Sequence, residues 1–310
     1  MKRVNGILLL DKPEGMPSAA LVSRIKRLAG GKKTGHAGTL DPFASGLMII
    51  LTGQATRLSR FFLHGGKTYD GVIRLGVETD TLDGTGTETA RHPVPEVTTA
   101  DLADLCREFT GEIRQQPPAY SALKQDGVPL YRLARRGKPV FKPPRTVRIH
   151  HLSVTRAAPP DVHIRVTCSG GTYIRTLAAD MGRRLGCGAH LGALRRTASG
   201  PFHIADAATL EKITEMAEAR LLEQALRPMT DALPHLPVIR TDQRTADRIL
   251  TGRPLPPLPR PEPPVRPEPD GNMAAEFVQI LGPDGRLLAV LSREKEEGAY
   301  KYSCVFNEVC

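Results

Sequence analysis

Two hydrophobic patterns run along this chain, and each predicts a type of secondary structure. Continuous apolar runs at residues 7–10 and 47–51 are typical of buried strands. Alternating apolar and polar residues at 69–75 and 162–168 are also typical of β-strands. Apolar residues at helical spacing predict helices over 18–28, 99–109, 174–185, 206–225 and 242–251.

The pattern changes from Leu233 onward, which predicts a second domain. A proline-dense stretch at residues 254–269 is interpreted as a flexible or polyproline linker-like insertion. Apolar residues at 277–281 and 287–291 flank the turn Gly282-Pro283-Asp284-Gly285 and predict a hairpin. A last strand is expected near residues 302–306. We therefore expect one domain over 1–232 and a small, mainly β domain over 233–310.

Composition adds a basic balance to an otherwise ordinary globular chain. Lys and Arg number 43 against 33 Asp and Glu, a net charge of +10 over 310 residues. Such a surface attracts polyanions, of which nucleic acid is the commonest large one. No apolar run is long enough for a signal peptide or a membrane span. The five Cys lack CxxC spacing, so we expect a reduced, cytoplasmic protein without a disulfide framework.

The positive charge is concentrated in the segment 114–148, which carries nine basic residues and one acidic residue, Asp126. Tyr120 and Tyr131 lie among these cations. A charged face that only meets solvent usually mixes both signs. Cations interleaved with aromatic rings favour contact with phosphates and unstacked bases of RNA. We predict RNA binding here, with Lys124, Arg132, Arg135 and Arg136 as contacts.

Candidate chemistry is centred on the motif Gly35-His36-Ala37-Gly38-Thr39-Leu40-Asp41-Pro42, directly before a buried strand. Asp41 is either a turn residue or a rigidly held catalytic carboxylate, and the local pattern leaves both open. Arg175 falls in the first turn of a predicted helix, where a cation opposes the helix dipole. Such a departure often marks a functional site, although a solvent-facing Arg is equally simple.

Other chemistries find no support in the sequence. HExxH and CxxC motifs, phosphate loops and GxSxG elbows are absent, and no metal site is predicted. The loop 79–88 carries Asp80 and Asp83 among Gly and Thr. It is interpreted as a solvated turn.

Several motifs taken together resemble the TruB family of tRNA pseudouridine synthases, in order from about residue 5 to 202. Besides the Asp41 motif and Asp11-Lys12-Pro13-Glu14-Gly15, they are Lys67-Thr68-Tyr69, Gln116-Pro117-Pro118-Ala119-Tyr120-Ser121-Ala122-Leu123-Lys124, Gly170-Gly171-Thr172-Tyr173-Ile174-Arg175-Thr176-Leu177 and Gly188-Ala189-His190-Leu191-Gly192-Ala193-Leu194-Arg195-Arg196. The resemblance implies an α+β fold: a mixed, mostly antiparallel sheet flanked by helices, with a small PUA-like domain at the C-terminus. The proline-dense insertion departs from the family pattern.

The resemblance also implies an activity, the isomerisation of uridine 55 in the T loop of tRNA to pseudouridine, with base flipping and without a cofactor. Asp41 then acts as nucleophile or base, Tyr69 stacks on the flipped base, and Arg175 pairs with Asp41. The further residues that the resemblance places at the substrate are His36, Tyr173, Leu194 and Lys12. The expected partner is the T-arm of tRNA, bound by a monomer. A guide-dependent synthase subunit and a non-catalytic tRNA-binding or folding module are the alternatives.

Overall fold

The computed structural model describes residues 5–63, 65–266, 276–294 and 299–307. The α-helices are α1 (Ser18–Leu28), α2 (Ser59–Leu63), α3 (Thr99–Glu108), α4 (Leu130–Ala134), α5 (Ile174–Arg184), α6 (Leu210–Glu218) and α7 (Gln243–Leu250). The strands are β1 (Gly6–Lys12), β2 (Thr34–His36), β3 (Ser45–Thr52), β4 (Lys67–Leu75), β5 (Val77–Thr79), β6 (Glu88–Arg91), β7 (Gly111–Gln115), β8 (Lys124–Gln125), β9 (Val128–Pro129), β10 (Arg145–Ala158), β11 (Asp161–Cys168), β12 (Ala189–Ser199), β13 (Phe202–His203), β14 (Ala208–Thr209), β15 (Val238–Arg240), β16 (Phe277–Leu281), β17 (Leu287–Arg293) and β18 (Tyr300–Val305). Short 3-10 helices span Gly53–Leu58, Ile204–Asp206, Leu222–Ala225 and Met229–Ala232.

A mixed sheet forms the centre of the molecule, in the order β14-β1-β3-β12-β4-β11-β10-β7. The pairs β1–β14 and β3–β12 are parallel and the other neighbours are antiparallel. A second, smaller sheet has the order β15-β16-β17-β18. The predicted fold class, a mostly antiparallel mixed sheet with helices and a small C-terminal sheet, is confirmed.

The two hydrophobic patterns reflect how the strands are covered. In β1, Leu8 and Leu10 face one core cluster while Ile7 and Leu9 face another, so the run is continuous. The first cluster includes side chains of α1, α3, α5 and α6; the second includes Phe61 and Phe62 of α2 and residues of the C-terminal sheet. In β11 the alternate residues are less buried, which explains its alternating sequence.

The predicted helix over 206–225 is present only over Leu210–Glu218. A 3-10 turn, β14, α6 and the turn Leu222–Ala225 occupy this region. The Thr209 hydroxyl accepts a hydrogen bond from the Lys212 N–H at 3.2 Å and caps α6. Arg220 adopts a left-handed φ of 61° just after the helix, so the helix ends there.

The proline-dense stretch differs from the predicted flexible linker over its described part, residues 254–266. Glu262 pairs with Val238 on the edge of β15 through two backbone hydrogen bonds of 2.7 and 3.1 Å. Leu255 and Leu258 pack on the cluster that contains α7. Proline excludes regular pairing along most of the stretch, but these contacts fasten it to the domain. Residues 267–269 lie outside the described residues. The predicted hairpin is present as β16 and β17.

Candidate active site

Asp41 lies in a loop between β2 and β3 that is fastened on both sides of the carboxylate. The Ser18 hydroxyl donates to the Leu40 carbonyl at 2.6 Å and accepts from the Leu40 N–H at 3.0 Å. The Pro42 carbonyl accepts from the Gly15 N–H at 2.8 Å and from Lys12 Nζ at 3.2 Å. Because both neighbours of Asp41 are held by distant residues, the direction of its side chain is fixed.

Arg175 connects this loop with two other segments. Its Nε lies 2.8 Å from Asp41 Oδ2, Nη1 donates to the Thr81 carbonyl at 2.8 Å, and Nη2 donates to the Tyr120 carbonyl at 2.8 Å. The contact with Asp41 is an ion pair. Arg175 is buried at the second position of α5, directed into the site rather than into solvent.

Asp83 is a second carboxylate on the same guanidinium, and its location corrects the interpretation of residues 79–88 as a solvated turn. Its Oδ2 lies 3.4 Å from Arg175 Nη1, and the side chain is only 6% exposed. Oδ1 accepts hydrogen bonds from the hydroxyls of Thr81 and Thr85 at 2.9 and 2.6 Å. The threonines that suggested a polar loop therefore stabilise a buried carboxylate.

The electrostatics of the site favour a carboxyl at Asp41 that takes up a proton more readily than usual. Burial raises the pKa of Asp41, and Asp83 raises it further. Arg175 opposes this rise and Lys12 does so to a smaller extent. The Asp41–Arg175 pair thus reduces the rise in pKa but does not abolish it.

Tyr69 lies on β4 beside this pair. It is buried in the cluster that also contains Leu40 and Phe43 of the Asp41 loop. Burial raises the pKa of its phenol, Asp41 adds to this, and Arg196 opposes it. The ring is therefore neutral at physiological pH and close enough to Asp41 to be affected by its charge.

Lys12 and His36 flank the loop at its two ends. Lys12 Nζ donates to the carbonyls of Pro13 and Met16 at 2.8 and 2.7 Å as well as to Pro42, and burial lowers its pKa to about 8. His36 Nδ1 accepts the Gly38 N–H at 3.3 Å. Burial and then the charge of Arg196 lower the pKa of His36, so its ring is neutral near pH 7.

Tyr173 and Leu194 lie on elements that border the site. Tyr173 precedes α5, and Gln115 holds its backbone on both sides: Nε2 donates to the Tyr173 carbonyl at 2.9 Å and Oε1 accepts its N–H at 2.7 Å. The Arg145 guanidinium lies 5.1 Å from the Tyr173 ring centroid. Leu194 on β12 packs in the same cluster as Tyr69.

The predicted RNA contacts lie on a separate segment of the chain. The ends of the segment 114–148 belong to β7 and β10 of the central sheet, so only residues 116–144, here called the basic arm, extend beyond it. Lys124, Arg132, Arg135 and Arg136 are all exposed on the arm. Among the described residues, none of the four forms an ion pair with an acidic side chain. Arg135 lies 5.7 Å from the Tyr131 ring centroid.

Sequence reasoning missed four residues that hold the site: Ser18, Asp83, Gln115 and Arg196. Asp83 and Gln115 act on distant partners, and nothing in their local sequence reveals that. The inward position of Arg196 could have been predicted from the sequence, because adjacent residues of a strand face opposite sides. Of the pair Arg195-Arg196 in a strand, one had to point inward, and Arg196 is 1% exposed.

Comparison with known proteins shows the family of this chain. The N-terminal domain of TruB family pseudouridylate synthases matches residues 26–174, and the C-terminal domain of tRNA pseudouridylate synthase B matches residues 175–234. The chain belongs to the TruB family of pseudouridylate synthases. It is 41% identical over 317 residues to the tRNA pseudouridine synthase B of Syntrophotalea carbinolica, covering 98% of this chain and 99% of that one. It is 46% identical over 253 residues to the protein of that name in Aromatoleum aromaticum, with 81% of each chain covered.

Two solved complexes contain chains that match this fold. A Cbf5-Nop10-Gar1 complex matches with a TM-score of 0.74 and 26% identity, over 98% of this chain and 84% of that chain. An H/ACA RNP bound to a substrate RNA containing 2'-deoxyuridine matches with a TM-score of 0.72 and 25% identity, covering 97% of this chain and 85% of that one.

Neither a membrane-spanning helix nor a cluster of metal ligands is found in the part of the chain that the structure describes. No helix there has the length and apolar character needed to cross a membrane. No group of three or more His, Cys, Asp or Glu side chains is arranged there to hold a metal ion.

Proposed function

We propose that this protein isomerises uridine 55 in the T loop of tRNA to pseudouridine. The observation that carries the proposal is the Asp41–Arg175 ion pair beside Tyr69, in a chain that aligns almost end to end with a tRNA pseudouridine synthase B. In this reaction the N1–C1′ bond of the nucleotide breaks and a C5–C1′ bond forms. The proton of C5 is lost and N1 gains one. Atoms and redox state are unchanged, so we expect no cofactor.

Asp41 is the group proposed to act at the sugar, either as nucleophile at C1′ or as base toward the 2′ proton. Both roles need the ionised carboxylate at a fixed position, which Arg175 and the bonds on either side of Asp41 support. Tyr69 is proposed to stack on the detached uracil and to take the C5 proton. His36, Tyr173, Leu194 and Lys12 are proposed to contact or border the flipped nucleotide.

The basic arm is proposed to bind the T-arm of the tRNA. Lys124, Arg132, Arg135 and Arg136 are exposed on it and have no acidic partners among the described residues, so their charges are available to phosphates. We propose that the residues before 233 form the catalytic domain. A PUA-like domain is proposed to follow it and to bind RNA, and the enzyme is proposed to be a cytoplasmic monomer.

One alternative is a subunit that needs a guide RNA, and the solved neighbours belong to multi-component complexes, one of them bound to a substrate RNA. The higher identity to tRNA pseudouridine synthases and the exposed cations of the arm favour a stand-alone enzyme. The test is a bare T-arm stem-loop with tritium at C5 of its uridines, incubated with the purified protein alone. We expect tritium release and conversion of uridine 55 only. No release without added guide RNA would reject the stand-alone function.

A second experiment identifies the substrate without assuming it. Total tRNA from cells that lack the enzyme is incubated with the protein, and pseudouridine is mapped by chemical labelling and sequencing. We expect new pseudouridine at position 55 across many tRNAs. Conversion at another position would contradict the assignment of the T loop.

A further inference from the structure

We propose that Arg196 is a positioning residue of the active site, whose buried guanidinium ties together the two ends of the loop that carries Asp41. The inference rests on the proposed function, since it concerns how the same site is held. It differs from the roles of Asp41, Tyr69 and Arg175, because Arg196 acts on the loop backbone rather than on the substrate.

Three hydrogen bonds show how one planar group connects the loop ends. Arg196 Nε donates at 2.7 Å to the carbonyl of Leu47, which follows Asp41 in the chain. Before Asp41, Nη2 donates to the Gly38 carbonyl at 3.2 Å and Nη1 to the Thr39 carbonyl at 3.4 Å. The chain from 40 to 46 is therefore closed into a ring by a single side chain.

The backbone of Arg196 fixes the same loop a second time. Arg196 on β12 is the parallel partner of Gly46 on β3. Gly46 has a φ of +104°, and a Cβ there would lie only 2.3 Å from the Arg196 carbonyl oxygen. Gly46 thus permits a close approach that a larger residue would prevent. The side chain and backbone of one residue hold both loop ends.

Burying the charge of Arg196 lowers the stability of the fold, which argues that its hydrogen bonds to the loop are needed. The side chain is 1% exposed, and among the described residues it forms no ion pair with a carboxylate. A buried charge without an acidic partner lowers stability unless its hydrogen bonds are complete. A Lys at this position keeps the charge, but its single ammonium lacks the planar set of donors that reaches three carbonyls.

The same charge affects the titratable groups that surround it on every side. Arg196 lowers the pKa of Lys12 on β1, of His36 on β2 and of Lys67 on β4. It also opposes the rise in the pKa of Tyr69, its neighbour on β4, against the effects of Asp41 and of Cys168 on β11. Arg196 therefore makes the Tyr69 phenol release its proton more readily, which favours the phenolate form that the proposed base role of Tyr69 requires.

The deciding variant is Arg196→Lys, with Arg74→Lys as its matched control. Arg74 lies on the adjacent strand β4, is exposed and pairs with Asp161 at 2.9 Å, away from the loop. At saturating tRNA we expect Arg196→Lys to lower the single-turnover rate about 100-fold, the effect of a small misplacement of a reacting group. The tRNA Kd should stay within about threefold, since phosphate contacts dominate RNA affinity. The control should match the wild type.

Arg196→Met removes the charge as well as the bonds and separates the two effects. With the charge gone, the pKa values of Tyr69 and His36 rise, so the pH dependence of the single-turnover rate should move to higher pH. In Arg196→Lys the pH dependence should stay in place while the rate falls. A lysine variant with the wild-type rate would overturn the proposal.

Hydrogen–deuterium exchange of the free protein provides a readout that does not depend on activity. We expect faster exchange in Arg196→Lys for peptides covering residues 37–47 and unchanged exchange for β16 and β17. If the wild type made no pseudouridine, the proposed function would fail, and this exchange would still test the positioning role. Unchanged exchange at 37–47, or a lysine variant unfolded by circular dichroism, would overturn the proposal.

Discussion

The Asp41 loop and the basic arm are held in opposite ways. The loop is bonded to residues distant in the chain, including Ser18, Arg175 and Arg196, and these partners are buried. At its base the arm is tied to the site through the Tyr120 carbonyl, which accepts from Arg175. Beyond that it has local contacts, such as Leu130 N–H to the Leu123 carbonyl at 2.7 Å, and its four predicted RNA-binding cations are exposed. A reacting carboxylate needs one fixed geometry, whereas attraction to a polyanion tolerates many. Changes in the loop should therefore act on the chemical step, and changes in the arm on binding.

Asp41→Asn should give the largest separation between the two regions. We expect the single-turnover rate to fall on the order of 10⁴-fold or more, as for loss of a catalytic nucleophile. The affinity for tRNA should remain within about threefold, because the amide removes no phosphate contact. Rates are measured by tritium release and affinity by filter binding. Substantial residual turnover would reject the role of Asp41 and would favour a non-catalytic tRNA-binding module.

Arg175→Lys should have the next largest effect. The lysine keeps one charge but cannot contact Asp41, Thr81 and Tyr120 together, so we expect a loss of about 100-fold in rate. The control is Arg183→Lys on the same helix, where the side chain is exposed and pairs with Asp180 at 2.7 Å. A rate near that of the control would show that the fork of Arg175 is unnecessary.

Asp83→Asn should have a smaller effect on the rate and a characteristic effect on its pH dependence. Arg175 keeps its other contacts, so we expect a loss of about 10-fold at pH 7. Activity needs ionised Asp41, whose raised pKa makes the rate fall on acidification above the usual range of an aspartate. Asp83 contributes to that rise, so its removal should lower the pKa of Asp41. The acid limb of the pH–rate profile, where the rate falls on acidification, should then move to lower pH.

The matched control for this experiment is Asp80→Asn in the same loop. Asp80 is exposed and accepts the Thr87 N–H at 2.8 Å. The acid limb of the pH–rate profile of Asp80→Asn should coincide with that of the wild type. If the acid limb of Asp83→Asn also coincides with that of the wild type, the group whose ionisation controls the rate is not Asp41.

The sequence predicted those parts of the fold in which local pattern and tertiary environment agree. Leu47 to Leu51 form a continuous run because both faces of β3 are buried, and the run alone was sufficient. The central strand β12 was not predicted, since register shifts near Gly192 and Thr197 break its alternation and it buries an arginine. Residues 206–225 have a helical apolar spacing, but the Thr209 cap and the left-handed Arg220 divide them.

The candidate site also has parts that the sequence predicted and parts that it did not. Asp41, Tyr69 and Arg175 lie in motifs that the family resemblance covers, and the structure brings them together. Asp83 was interpreted as part of a solvated turn because its partner Arg175 is 92 positions away in the chain, a contact that only the fold reveals. Gln115 likewise binds the backbone of Tyr173 across the gap between β7 and α5. Polar contacts between residues far apart in the chain produce no local sequence pattern from which they could be predicted.

The basic arm gives the smallest expected effect on chemistry and the clearest effect on binding. We expect Arg132, Arg135 and Arg136, all replaced by Gln, to leave the rate at saturating tRNA within about twofold while the Kd rises about 10- to 100-fold at 0.15 M salt. The slope of log Kd against log salt should fall by about 2 to 3, nearly one for each lost phosphate contact. The control removes equal charge at Arg107, Arg183 and Arg184, each of which already pairs with an acidic side chain. An unchanged slope in the arm variant would place the RNA on another surface, whereas a lower saturated rate would show that the arm also orders the catalytic site.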